Sequence, residues 1–100
     1  MRKKTAIARV KIDSDLNIFT AEALRDRLLK SLGQAATLDL DLSAVGEVDS
    51  AGLQVLIATK REATLLNKPL RLVAVSASVT ELLNLCGLAA YFSESAQAAE

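Results

Sequence analysis

The sequence predicts an α/β fold in which helices pack on a mainly parallel sheet. Short runs with alternating apolar residues, the period of a strand, are separated by longer segments with the apolar period of a helix. These longer segments have the length that right-handed crossovers between parallel strands need. The 100 residues fit one domain built around one core, spanning residues 1–100.

The first strand and the first helix are predicted near the N-terminus. Apolar and polar residues alternate over residues 6–12, which favours a half-buried strand. Leucine recurs at every fourth position from 24 to 32, and this spacing predicts a helix that ends at Gly33. Thr20 is the expected N-cap of this helix, with Phe19 packed on its first turn as an apolar staple.

The second strand is predicted to have a leucine face and an acidic face. Leu38, Leu40 and Leu42 share one face, and Asp39 and Asp41 share the other. We expect both aspartates to face solvent. The two aspartates alone are weak evidence for a metal site, because neither a histidine nor a further clustered ligand accompanies them.

A second helix is predicted from Ser50 to the segment before Pro69, where proline prevents its continuation. Its apolar arc is broad, which either tight packing on the sheet or a partner surface would explain. The arc comprises Leu53, Val55, Leu56, Ile57, Ala63 and Leu66. Residues 70–75 are almost all apolar and predict a strand buried on both faces.

The C-terminal part is predicted to contain a third helix, a short strand and a tail. Ser78 and Glu81 match a capping box at the start of a helix that stops at Gly87. Residues 88–92 favour a short edge strand, and 93–100 form a polar tail expected to be mobile. The only cysteine, Cys86, is expected to be a small buried hydrophobe.

The charge and hydropathy patterns exclude some classes of partner. Twelve basic residues balance twelve acidic ones, and the only basic cluster is 2–4, so nucleic acid is not an expected partner. The apolar runs are too short for a membrane span, and a signal-peptide pattern is absent. We therefore expect a cytoplasmic protein that does not insert into the membrane.

The residue types argue against an enzyme and against a cofactor. With no histidine and one cysteine, the chain lacks the usual general base, every Ser-His or Cys-His pair and a dedicated zinc site. The four glycines are scattered, so no phosphate-binding loop is visible. A minor alternative is a divalent-ion enzyme that uses Asp39, Asp41 or Asp49.

Ser50 is the candidate control point, because it lies at the carboxyl end of a strand where a helix begins. Two explanations for the serine stay open at this point. It caps the free amides of the helix, a contribution of about 1 kcal/mol. Alternatively it accepts a phosphate, whose charge the free N–H groups and the positive helix end would tolerate.

Three segments of the chain resemble the STAS family, the sulfate transporter and anti-sigma-factor antagonist domain. Residues 40–53, LDLSAVGEVDSAGL, are similar to its strand, loop and Asp-Ser/Thr-x-Gly-Leu motif. The likeness continues through 72–79, LVAVSASV, and 85–88, LCGL. It implies a STAS fold with a parallel or mixed sheet of four or five strands and three or more helices.

The resemblance also implies which residues bind a partner. In the family's anti-sigma-factor antagonists, a kinase phosphorylates the hydroxyl residue after the Asp, a phosphatase reverses this, and one form binds the partner. Ser50 occupies that position and Ala51 replaces the second hydroxyl residue that is common there. The implied phosphoacceptor is thus Ser50. The implied partner-binding residues are Asp49, Ala51, Gly52, Leu53 and Asn17.

Two other functions within the family are consistent with the same motif. The Ser-Ala-Gly-Leu variant resembles STAS subunits that dock on the ATPase of phospholipid-transport ABC systems, and similar domains look like adapters in chemotaxis-type signalling. Asn17 replaces an acidic residue often found in the turn of the antagonists, here Ser14 to Asn17, which weakens the inference of a sigma-factor kinase.

Overall fold

A computed structural model describes the backbone of residues 5–98 and the side chains of residues 7–93. The elements in chain order are β1 (Thr5–Lys11), α1 (Ala21–Gly33), β2 (Ala35–Leu42), α2 (Ser50–Leu65), β3 (Leu70–Val75), α3 (Ala77–Leu85) and α4 (Ala89–Ala98). The strands form a parallel sheet in the order β1-β2-β3, which confirms the α/β prediction. The described residues form three strands, fewer than the four or five that the resemblance implied.

The core lies between the central strand and the first two helices. Leu38, Leu40 and Leu42 of β2 are completely buried, as the alternation predicted. Helix α1 packs against α2, β1 and β2, and its leucines at 24, 28 and 32 are buried. Burying one leucine side chain contributes about 1.5–3 kcal/mol, so this aliphatic layer is the main source of stability.

The opposite face of β2 carries an ion pair whose carboxylate is buried. The prediction that both aspartates face solvent is wrong for Asp39, which is 2% exposed. Its carboxylate accepts hydrogen bonds from Arg71 Nε at 2.7 Å and Nη2 at 2.9 Å, and Arg9 Nη2 lies 3.9 Å away. The strand register sets these residues side by side. Because Asp39 accepts these bonds, the pKa of Arg71 is raised above its ordinary value.

Asp41, two residues further along β2, is half-buried. It accepts hydrogen bonds from the hydroxyl and the amide of Ser43 at 2.6 and 3.0 Å. These bonds lower the pKa of Asp41, since they favour its charged form.

Strand β3 lies at the edge of the sheet. Only Leu70 is buried, and Val73 is 42% exposed, so the predicted burial on both faces is wrong. An edge strand has a neighbour on one side only, and the register between β2 and β3 shifts between Leu40 and Asp41. The apolar composition of 70–75 therefore does not reflect burial on both faces.

The start of α1 differs from the predicted cap. Thr20 is the N-cap residue, but its side chain makes no capping hydrogen bond, and its hydroxyl donates to the Asp15 carbonyl at 2.7 Å. Phe19 is 91% exposed, so the predicted staple is wrong. The hydroxyl of Thr20 instead ties the helix to the loop before it.

Helix α3 begins two residues earlier than predicted and is followed by another helix. Ser76 is its cap, with Oγ accepting from the Val79 amide at 3.4 Å, so the capping box at Ser78 is wrong. Gly87 has φ of 69°, a left-handed conformation that suits glycine. With Leu88 N donating to Leu83 O at 2.8 Å, it forms a Schellman turn.

This turn leads into α4, so the edge strand predicted for 88–92 is wrong. The backbone of the predicted tail is helical to Ala98, and its last two residues lie outside the described part; the mobility of 93–100 stays a prediction. Cys86 is exposed at the end of α3, contrary to its predicted burial. Phe92 is instead the residue of this region that is buried in the core.

The apolar arc of α2 is mostly core. Leu53, Val55, Leu56 and Ala63 are buried, whereas Leu66, just beyond the helix, is 45% exposed. Tight packing therefore explains most of the arc. Among the described helices, none has the length and apolar character needed to cross a membrane.

Replacing Arg71 by leucine is expected to destabilise the protein, because Asp39 would stay buried without its partner. Replacing both residues by leucine should restore much of the stability, since no charge is then buried alone. Urea denaturation of the parent, both single variants and the double variant measures this coupling. Additive losses in the double variant would contradict the role assigned to the pair.

Candidate functional site

The loops after β1 and β2 meet at the carboxyl ends of the strands and are joined by backbone hydrogen bonds. Leu16 N donates to Glu47 O at 2.8 Å, and Asp49 N donates to Leu16 O at 3.0 Å. These bonds make Leu16 and Val48 an isolated parallel bridge. The Leu16 side chain is completely buried, so the junction is anchored in the core.

Two polar side chains strengthen this junction. Asp15 Oδ1 accepts from the Glu47 amide at 2.9 Å, and Asn17 Nδ2 donates to Glu47 Oε1 at 2.8 Å. Asn17 Oδ1 accepts from the amides of Phe19 and Thr20 at 2.9 and 3.2 Å. Asn17 is only 8% exposed. Its main structural role is to shape the loop, and its predicted contact with a partner stays a prediction.

Asp49, rather than Ser50, caps helix α2. Its Oδ1 accepts from the Gly52 amide at 3.0 Å, and its Oδ2 accepts from the Ile18 amide at 3.2 Å. A carboxylate at this position also interacts favourably with the positive end of the helix. Of the two explanations for Ser50, capping is therefore wrong. Ser50 is the first helical residue, is exposed, and its hydroxyl makes no hydrogen bond within the described part of the chain.

Gly52 allows the backbone of α2 to approach the first loop. A Cβ atom at this position would lie 2.0 Å from the carbonyl oxygen of Leu16, far inside van der Waals contact. Leu53 is 7% exposed and belongs to the core. Of the residues predicted to bind a partner, Gly52 and Leu53 therefore hold the site together. The exposed Ser50 and the half-buried Asp49 and Ala51 reach its surface.

Two apolar residues in the loop that contacts Asp49 were not among the predicted site residues. Ile18 is 68% exposed and Phe19 is 91% exposed, and the amides of both are held by side chains of the site. The only signal in the sequence is the apolar pair itself, just before Thr20, of which we interpreted Phe19 as a helix staple. Exposed apolar side chains on a rigid turn are typical of protein-binding surfaces.

A groove of about 310 Å³ lies between the β2–α2 loop and helix α3. Its walls are residues 46–48 of the loop and Ser78, Glu81, Leu82 and Leu85 of α3. Leu85 is 80% exposed. The surface around the turn therefore combines apolar patches with carboxylates.

This edge of the sheet is also acidic. Residues 12–24, 41–59 and 72–93 contain no lysine or arginine. These ranges include all three loops that follow the strands. Their acidic residues are Asp13, Asp15, Glu22, Asp41, Glu47, Asp49 and Glu81.

The aspartates considered for a divalent ion have other roles. Asp39 pairs with Arg71, and Asp49 caps α2. Among the described side chains, residues 7–93, no three His, Cys, Asp or Glu residues are grouped in a way that could hold a metal ion. The geometry therefore gives the metal-dependent alternative no support.

The family model described as "Mlab, STAS domain" matches residues 1–93. Among solved structures, the anti-sigma factor antagonist SpoIIAA in its unphosphorylated form is similar, with a TM-score of 0.71 and 16% sequence identity. The alignment covers 88% of this chain and 78% of that chain. This similarity shows a shared fold. No curated protein matches the sequence.

Replacing Gly52 by alanine is expected to cost about 3 kcal/mol or more, since the new methyl group would collide with the Leu16 backbone. Gly33→Ala is the matched control, because nothing lies within 4 Å of a Cβ built there. The control should be neutral or stabilising by up to about 1 kcal/mol. Urea denaturation compares the two variants. Similar stabilities would contradict the close approach.

Proposed function

Because the chain belongs to the STAS family, we propose that it is a non-catalytic protein-binding module whose partner binding is switched by phosphorylation of Ser50. The observation that carries the proposal is the exposed, unbonded Ser50 hydroxyl on the first residue of a helix that Asp49 already caps. Modifying this hydroxyl would remove no hydrogen bond from the described structure.

The position of Ser50 favours a switch in binding over a change in folding. A phosphoserine carries about 1.5–2 negative charges at neutral pH. The free amides and positive end of α2 would stabilise this charge, whereas the carboxylate of Asp49 next to it would repel it. The opposing effects leave the fold intact, while the phosphate makes the surface at the start of α2 more negative and more bulky. A partner that contacts the turn would lose affinity.

The proposed partners are a serine kinase that also acts as an anti-sigma-like protein, and a phosphatase. The similar structure is that of an anti-sigma factor antagonist described by its phosphorylation state, which supports this class of partner. The exposed Ile18 and Phe19 supply an apolar contact area on the loop that Asp49 binds. We place the domain in the cytoplasm, where such a kinase would meet it.

A second candidate is a constitutive subunit that docks on the ATPase of a phospholipid-transport ABC system, or an adapter in chemotaxis-type signalling. The exposed Ser50 hydroxyl also favours docking without a switch, because an unmodified hydroxyl can donate a hydrogen bond to a partner. The broad apolar face of α2 gives this candidate little support, because most of it is buried.

Recovery of the tagged protein from its native cells, with mass spectrometry of residue 50 and of co-purifying proteins, separates the two functions. Phosphate on Ser50 together with a serine-kinase partner supports the switch. Unmodified Ser50 in a stoichiometric complex with an ABC ATPase supports the constitutive subunit.

Ser50→Asp is expected to weaken binding of the recovered partner at least about tenfold, because its carboxylate adds charge at the contact surface. The melting temperature should stay within about 2 °C, since Asp49 still caps the helix. Gln34→Asp, an exposed position after α1 at the other edge of the sheet, is the control and should bind like the parent. Isothermal titration calorimetry measures the affinities. Equal affinity of Ser50→Asp, Ser50→Ala and the parent would contradict the switch.

A further inference from the structure

We propose that a cavity between β3, α3 and α4 binds a small amphipathic anion of the medium-chain alkyl carboxylate class. The cavity has a volume of about 440 Å³, which falls within the range of small-molecule sites. None of its lining residues belongs to the Ser50 turn or to the groove beside it. The inference is therefore independent of the function proposed for Ser50.

The interior of the cavity is apolar and its walls come from three elements. Strand β3 contributes Leu72 and Val75, α3 contributes Leu83, and α4 contributes Phe92. Leu83 and Phe92 are 5% and 4% exposed and belong to the core. Polar residues complete the lining, namely Thr80, Asn84 and Ser93. An alkyl chain would be removed from water here, at about 0.8 kcal/mol per buried CH₂ group.

Specific contacts fix the position of α4, which forms one wall of the cavity. The Schellman turn at Gly87 fixes the change of direction between α3 and α4. On α4, the Tyr91 ring lies 5.2 Å from Lys60 Nζ of α2 and meets the Phe92 ring edge-on, with centroids 5.3 Å apart. Helix α4 is thus anchored to α2 as well as to β3. A preformed cavity loses less conformational entropy on binding.

The charge of the lining selects the head group of the ligand. Arg71 is the one charged residue among the described lining residues. Its Nε and Nη2 atoms bind Asp39, which leaves Nη1 to donate to another acceptor. Asp39 itself is not among the lining residues. The guanidinium group of Arg71 therefore favours an anion over a cation of the same length.

The test is a nuclear magnetic resonance titration of the full ¹⁵N-labelled chain with octanoate, octylammonium and acetate, each below its micelle concentration. We expect octanoate to produce saturable shifts in β3, α3 and α4, and to bind about tenfold more tightly than octylammonium. Acetate should cause no saturable shifts, since it lacks the apolar chain. Equal affinities of octanoate and octylammonium, or no saturable octanoate binding, would overturn the proposal.

The variant Ala89→Phe tests whether octanoate binds in this cavity. Ala89 lines the cavity and is exposed, so a larger side chain there would enter the cavity without disturbing the core. It should weaken octanoate binding about tenfold or more. Ala90→Phe is the matched control: Ala90 is the exposed neighbour and does not line the cavity. Ser93→Phe is a second blocking variant if Ala89→Phe does not fold.

Two results would reject the assignment of the cavity. Octanoate binding that is unchanged in both blocking variants would place the ligand elsewhere. Stronger shifts in β3, α3 and α4 from an uncharged apolar peptide, acetyl-Leu-Val-Leu-amide, than from octanoate would assign the cavity to a segment of a partner protein.

Discussion

The carbonyl group of Leu16 packs against Gly52 and at the same time accepts the amide hydrogen of Asp49. This contact is possible only because residue 52 has no side chain. It fixes the first turn of α2 against the loop after β1, which lets Asp49 cap the helix and bind the Ile18 amide as well. The exposure of Ser50 results from this arrangement, since its neighbour has taken over the capping role. A glycine that touches no ligand thus determines how the proposed switch is presented.

The leucine face of β2 could be predicted from the sequence, but the environment of its acidic face could not. Alternation is a local pattern, and it assigned Leu38, Leu40 and Leu42 correctly to the core. The burial of Asp39 depends on Arg71, 32 residues away in the chain, which the register of β2 and β3 sets beside it. A periodicity pattern relates only residues that are close in the sequence, so it gives no indication of such a pair.

Other errors concern the residues at which helices begin and the element that follows α3. Ser50 and Ser78 were considered as helix caps, whereas Asp49 and Ser76 cap the helices. In each segment several neighbouring residues have a side-chain oxygen that could accept the capping hydrogen bond. The backbone geometry decides which of them does so. The apolar run 88–92 has no periodicity that separates a short strand from a helix, and the turn at Gly87 decides in favour of α4. The place of Ser50 in the fold was nevertheless predictable, since it is the first residue of the helix that follows β2.

The formal net charge of zero hides an uneven distribution. Acidic residues gather at the edge that carries Ser50, whereas Lys30, Arg61 and Lys68 lie at or beyond the C-terminal ends of α1 and α2, on the opposite edge. Negative charge is therefore concentrated in the loops around the Ser50 turn. Such a cluster attracts a positively charged surface before contact, over a range of about 8–10 Å at physiological ionic strength. A positively charged protein would accordingly meet this domain with the Ser50 edge turned towards it.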